Sequence, residues 1–73
     1  MSISFMLDKL IHLLNVLQSN EGYSVEQIRE YMQAHMSHEE RFALRLGYDQ
    51  GKTSDMGDSV LVAVSLLPKN IIV

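Results

Sequence analysis

The chain contains no cysteine, so disulfides and thiolate zinc sites are both excluded. Long hydrophobic runs are lacking as well. The C-terminal "VLVAVSLL" is stopped by Pro68, the only proline, and by Lys69, far short of the roughly 20 apolar residues a membrane span requires. No basic region precedes the first apolar run, which Asp8 and Lys9 interrupt, and no small-residue cleavage pattern follows it, so a signal peptide is not expected. A basic stretch is also missing. Residues 1–36 hold four acids and two bases, residues 37–58 five acids and three bases, and residues 59–73 only Lys69. Proteins that bind nucleic acid through its phosphates usually carry a net positive footprint, and this chain has a net charge of −3. A soluble, cytoplasmic protein is the expectation, and the missing cysteine agrees with a reducing compartment.

The chain has 73 residues, 47% hydrophobic and 21% charged, a globular composition that leaves room for one small domain over residues 1–73. So short a chain buries only about 60% of the surface it exposes when unfolded. Disulfides and thiolate metal sites are unavailable as reinforcement, so self-association is the expected help, with a homodimer as the default.

Apolar periodicity predicts a first helix over residues 5–18. Leu7, Leu10, Ile11, Leu14 and Leu17 recur at helical spacing, while Asp8, His12, Asn15 and Ser19 line the other side. Ser4 is the expected N-cap, with Asp8 close to the positive helix end. Phe5, Met6, Leu13 and Val16 widen the apolar face beyond one stripe, as in a helix that is central or shared with another chain. Asn20 or Gly22 is placed to end it in a left-handed cap. A second helix is predicted over residues 25–35. Ser24 and Gln27 spell a capping box, with Tyr23 and Ile28 as a hydrophobic staple around it. Ser37 and Glu40 spell another box, opening a third helix with Phe42, Leu46 and Ala43 inward that stops at Gly47 or, preferably, runs on to Gly51. "GKTSDMGDS" reads as a loop.

The last segment is ambiguous. Val60, Val62 and Val64 alternate with Leu61, Ala63 and Ser65, and β-branched enrichment favours a strand. "LPKN" would then turn into a second short strand at residues 71–73. Asp58 as N-cap and Pro68 as terminator suit a helix over residues 59–67 as neatly. The expected fold class is therefore α+β and mainly helical, three short helices followed by a β-hairpin. The alternative is an all-α four-helix fold.

Helix–helix–helix–strand–turn–strand is the element order of winged-helix DNA-binding domains. Arg41, Arg45, Tyr48 and Lys52 share one face of the third helix, and arginine is suited to bidentate contact with guanine. Against this, Glu39 and Glu40 open the same helix, Asp49 sits beside Tyr48, and the supposed wing offers one lysine. The blander expectation pairs Arg41 and Arg45 with carboxylates in helical reach, Glu40 or Asp49. His35 and His38 with Glu39 and Glu40 resemble metal ligands only superficially, because Ser37 caps a new helix between the histidines. No metal or other cofactor is expected. Catalysis has little to stand on: no Ser/His/Asp set is suggested by spacing, and "GYDQGKTSDMGD" misplaces the first glycine of a phosphate loop and adds aspartates that would repel phosphate. The chain is not expected to be an enzyme.

Of the five methionines, Met6, Met32 and Met36 fall on or near apolar faces, where the thioether suits core filling and also surfaces that repack against a partner. The favoured expectation is a small non-enzymatic regulatory or adaptor protein that acts by protein–protein contact, as a homodimer. Phe5, Leu10, Leu13, Leu14 and Leu17 are its expected interface. The alternative is a transcriptional regulator that reads DNA with Arg41, Arg45, Tyr48 and Lys52.

Overall fold

The computed structural model describes residues 3–69, and over them the elements are α1 (Ile3–Glu21), α2 (Val25–His35), α3 (His38–Asp49) and α4 (Asp58–Ser65). The fold is all-helical. Among the described residues there is no strand, which overturns the expected α+β class and its winged-helix order. The second expected strand, at residues 71–73, lies outside the described residues.

Both capping boxes form as spelled. Ser24 Oγ accepts from the Gln27 amide at 3.3 Å while the Ser24 amide donates to Gln27 Oε1 at 2.9 Å. Ser37 and Glu40 repeat the exchange at 3.2 and 2.8 Å. Each box satisfies donors that a helix start leaves orphaned. Ile28 and Met32 of α2 and Ala43 and Leu44 of α3 turn inward and are buried. The longer reading of α3 holds. The helix passes Gly47, caps at Gln50, and reverses at Gly51 with φ +72°. There the Gly51 and Lys52 amides donate to the carbonyls of Tyr48 and Gly47 at 3.1 and 2.8 Å, a Schellman closure that needs the left-handed residue. Gly47 itself lies where α3 meets α1. A Cβ added there would stand 2.5 Å from Cδ2 of Leu7.

α1 is longer at both ends than its apolar stripe suggested. It begins at Ile3, so Ser4 lies inside the helix and Asp8 lies beyond its first turn. It ends at Gly22, with φ +67°. Leu7, Leu10, Ile11 and Leu14 form the inner face, and α1 packs chiefly on α3 while α2 packs on α4.

α4 occupies the place of the expected strand. Val60, Ala63 and Val64 are buried and Val62 and Leu66 exposed, which is the i, i+3, i+4 rhythm of a helix. Alternation would have put Val60, Val62 and Val64 on one side. The physical reason is context. A lone hairpin is marginal in water, whereas the other three helices leave an apolar groove that a helix fills, and the helix penalty for valine is at most about 0.7 kcal/mol per residue. The N-cap is Gly57 rather than Asp58, and it makes no side-chain cap bond. Both ends of α4 are instead held from elsewhere. Asn15 of α1 accepts from the Gly57 amide at 2.9 Å and donates to the Asp55 carbonyl at 2.8 Å. At the other end, Arg45 of α3 donates to the carbonyls of Ser65 and Leu67 at 2.6 and 3.1 Å. Met56, in the loop before α4, is buried in the core.

Candidate interaction surface

The four leucines and one phenylalanine expected at an interface separate once α1 is folded onto its neighbours. Leu14 is fully buried and Leu10 is 6% exposed, both in the core of the chain itself. Neither is a surface residue, because α3 and α4 cover that side of α1. Leu17 is half-buried against the same core. Phe5 and Leu13 do face outward, 52% and 37% exposed. With Lys9 between them they stand at four-residue intervals along one side of the helix, and the Lys9 ammonium sits 5.4 Å from the centre of the Phe5 ring. Beside this row is a hollow of about 400 Å³ lined by Met6, Lys9, Leu10, Leu13 and Glu40.

A second exposed apolar pair was missed in the sequence. Val62 and Leu66 on α4 are 48% and 54% exposed. Their i, i+4 spacing was legible, but a strand reading sends Val62 and Leu66 to the same face as Val60 and Val64 and hides that they stand apart. Leu66 also edges a groove of about 350 Å³ between α2 and α4, floored by Met32, Ala63 and Leu67.

The four residues of the alternative DNA-reading face differ in exposure. Arg45 is 7% exposed. Besides holding the end of α4 it pairs with Asp49 at 3.1 Å, as the blander expectation had it, and its guanidinium lies 5.1 Å from the centre of the half-buried Tyr48 ring. Arg41 finds backbone rather than Glu40. Its Nη1 donates to the carbonyls of Met32, Gln33 and Met36 at 3.1, 3.3 and 2.9 Å, closing the C-terminal end of α2. Two arginines one helical turn apart thus each cap the C-terminus of a different helix, where the dipole favours a cation. Of the four residues only Lys52 is exposed. Both guanidiniums that would contact guanine already bond groups of the chain itself, Arg45 buried and Arg41 half-buried, and α4 stands where the first strand of the wing was expected.

His12, His35 and His38 are exposed. Among the described residues no three histidine, aspartate or glutamate side chains gather closely enough to hold a metal ion. No described helix is long and apolar enough to cross a membrane. Compared with protein-family models, with curated proteins and with solved structures, the chain matches none.

Proposed function

We propose that this chain is a small non-enzymatic regulatory or adaptor protein that works by protein–protein contact, and that it self-associates as a homodimer through the outer side of α1. The observation that supports this most is the exposed row Phe5, Lys9, Leu13 standing beside an apolar hollow. A projecting ring next to a recess is what a two-fold interface uses, since each copy must offer both halves of the contact. Lys9 and Glu40 on the rim of the hollow supply one charge of each sign, so two copies related by a two-fold axis can pair them reciprocally. A cytoplasmic setting goes with this reading and is supported by the absence of cysteine.

Sedimentation of the wild-type chain and of Leu13→Glu at equal concentrations tests the reading. Leu13 is partly exposed, so a carboxylate there leaves the helical circular dichroism intact while opposing assembly. The expected result is a wild-type mass above one chain that rises with concentration, and a monomeric variant. A wild-type monomer at tens of micromolar, or a variant that assembles as well as wild type, would overturn it.

A further inference from the structure

Flanking the Ile28 and Met32 face of α2 is a row that recurs every four residues, from Tyr23 just ahead of the helix through Gln27, Tyr31 and His35. Tyr23 and Tyr31 are half-buried and rest on the core. Together with Gln27, Glu30, Ala34 and His35 they line a shallow surface pocket of about 260 Å³. Two of its walls are held in place by contacts already made. The Tyr31 and His35 rings lie 4.7 Å apart between centroids with planes tilted by 34°, and Gln27 is tied down by its capping bond to the Ser24 amide. Glu30 is different. It is exposed, and among the described residues it has no ion-pair partner, whereas Glu26 on the preceding turn is taken by Arg29 at 3.2 Å. No lysine or arginine lines the pocket.

A recess with aromatic faces and an uncompensated carboxylate is complementary to a cation, because ring faces carry the negative end of the aromatic quadrupole. A guanidinium fits best of the biological cations. Its plane stacks on a tyrosine while its fork of N–H groups reaches a carboxylate, and it is more weakly hydrated than an ammonium. We propose that this pocket binds an arginine side chain presented by a basic segment of a partner protein. The charge of the chain favours the same partner. Of six basic residues, Arg29 and Arg45 are paired with carboxylates and Arg41 is turned onto backbone, so the −3 balance is felt at the surface and draws basic partners toward it. The site names the partner chemistry of the protein-contact reading and rests on that reading, but not on the homodimer, since it lies on α2 rather than on α1.

The test is a ¹⁵N–¹H correlation titration of the full chain with a short glycine–arginine peptide, beside peptides of equal length carrying citrulline or lysine. Saturable shifts confined to residues 23–35 are expected from the arginine peptide. Citrulline, which keeps the shape and loses the charge, should give none, and lysine should bind about two- to fivefold more weakly. Glu30→Gln and Tyr31→Leu should each weaken the arginine peptide by about two- to fivefold. Glu30 is exposed, so its variant stays folded whatever Tyr31→Leu does. An equal response to citrulline, no saturable shift at millimolar peptide, or binding unchanged in both variants overturns the proposal. Sedimentation of the same samples separates the two readings. A monomer that binds the peptide sinks the homodimer alone, and a dimer that ignores the peptide sinks this site alone.

Discussion

α2 and α3 are opened by capping residues at their own starts, while α4 is held at both its start and its end by residues of other helices. Ser24 with Gln27 and Ser37 with Glu40 work across three positions, so those helix starts are specified wherever the chain happens to be. α4 starts at a glycine with no side-chain cap, fixed by Asn15 from 42 positions away, and it ends under Arg45 from 20 and 22 positions away. The starts of two helices are therefore written locally, although the end of α2 also rests under Arg41 of α3, and the fourth helix exists because the others are in place. Short helices are marginal in isolation, and α4, at eight residues rich in valine, has least to stand on alone.

Arg45→Ala should do the most damage. It removes a buried guanidinium that bonds two carbonyls at the end of α4 and one carboxylate of α3. Charged hydrogen bonds contribute about 1.5–3 kcal/mol each and the abandoned carbonyls lose their partner, but Asp49 is half-exposed and recovers water, so a loss of about 2–4 kcal/mol is expected. A chain of 73 residues holds roughly 4–11 kcal/mol in all, so urea unfolding should show a large shift of midpoint. Arg45→Lys keeps the charge without the fork and should fall between the two. A loss below about 0.5 kcal/mol for Arg45→Ala would mean that α4 needs no distant closure.

Asn15→Ala attacks the other end. Its amide makes two bonds to the backbone around Gly57, one of them partly sheltered, and about 1–2 kcal/mol should go with them. Hydrogen exchange locates the effect. Amides of α4 should lose protection while those of α2 keep theirs, because sub-global opening follows the elements that lose their contacts. Uniform loss across all four helices would erase the distinction between them.

The same distinction governs what could be read in advance. Where a signal and its target are a few residues apart, reading succeeded: both capping boxes, the reversal at Gly51, and the Arg45–Asp49 pair at i, i+4. Where the partner is distant, reading failed. Arg41 and Arg45 were expected to meet only carboxylates in helical reach, because nothing in one dimension says that α2 and α4 end over them. Leu10 and Leu14 looked like surplus apolar surface because periodicity shows that a helix is greasy on one side and not which neighbour covers it. Asn15 sat unremarked among the polar residues of α1. The strand reading of residues 59–67 weighed β-branched preference, worth tenths of a kcal/mol per residue, without the groove that overrides it. Of the candidate surface, Phe5 and Leu13 were legible and Val62 and Leu66 were not, the second pair depending on α4 being a helix.

Ser37→Ala is a smaller change of the same kind, made locally. It deletes an N-cap whose removal costs about 1 kcal/mol, and the comparison requires the loss to stay in α3. Protection should fall in the first turn of α3 and be unchanged in α4. If α4 loosens too, the local boxes and the distant closures form a single unit.

Glu26→Gln should have the least effect, and it sharpens the contrast by repeating the chemistry of Arg45 without the burial. Arg29 and Glu26 meet at 3.2 Å, nearly the separation of Arg45 and Asp49, but with side chains 49% and 63% exposed. Water screens such a pair and the ordering of two long side chains offsets most of the attraction, leaving about 0.2–0.5 kcal/mol. Glu26 also stands in the first turn of α2, where its charge favours the helix dipole by a few tenths of a kcal/mol. The variant should therefore unfold within about 0.5–1 kcal/mol of wild type, with most of even that small difference gone in molar salt. Arg45→Ala should keep most of its cost in salt, since its bonds to the Ser65 and Leu67 carbonyls are part-buried and only the pair with Asp49 is open to solvent. Equal salt sensitivity in the two variants would show that solvent reaches Arg45, and the case for α4 being closed from a distance would then rest on Asn15 alone.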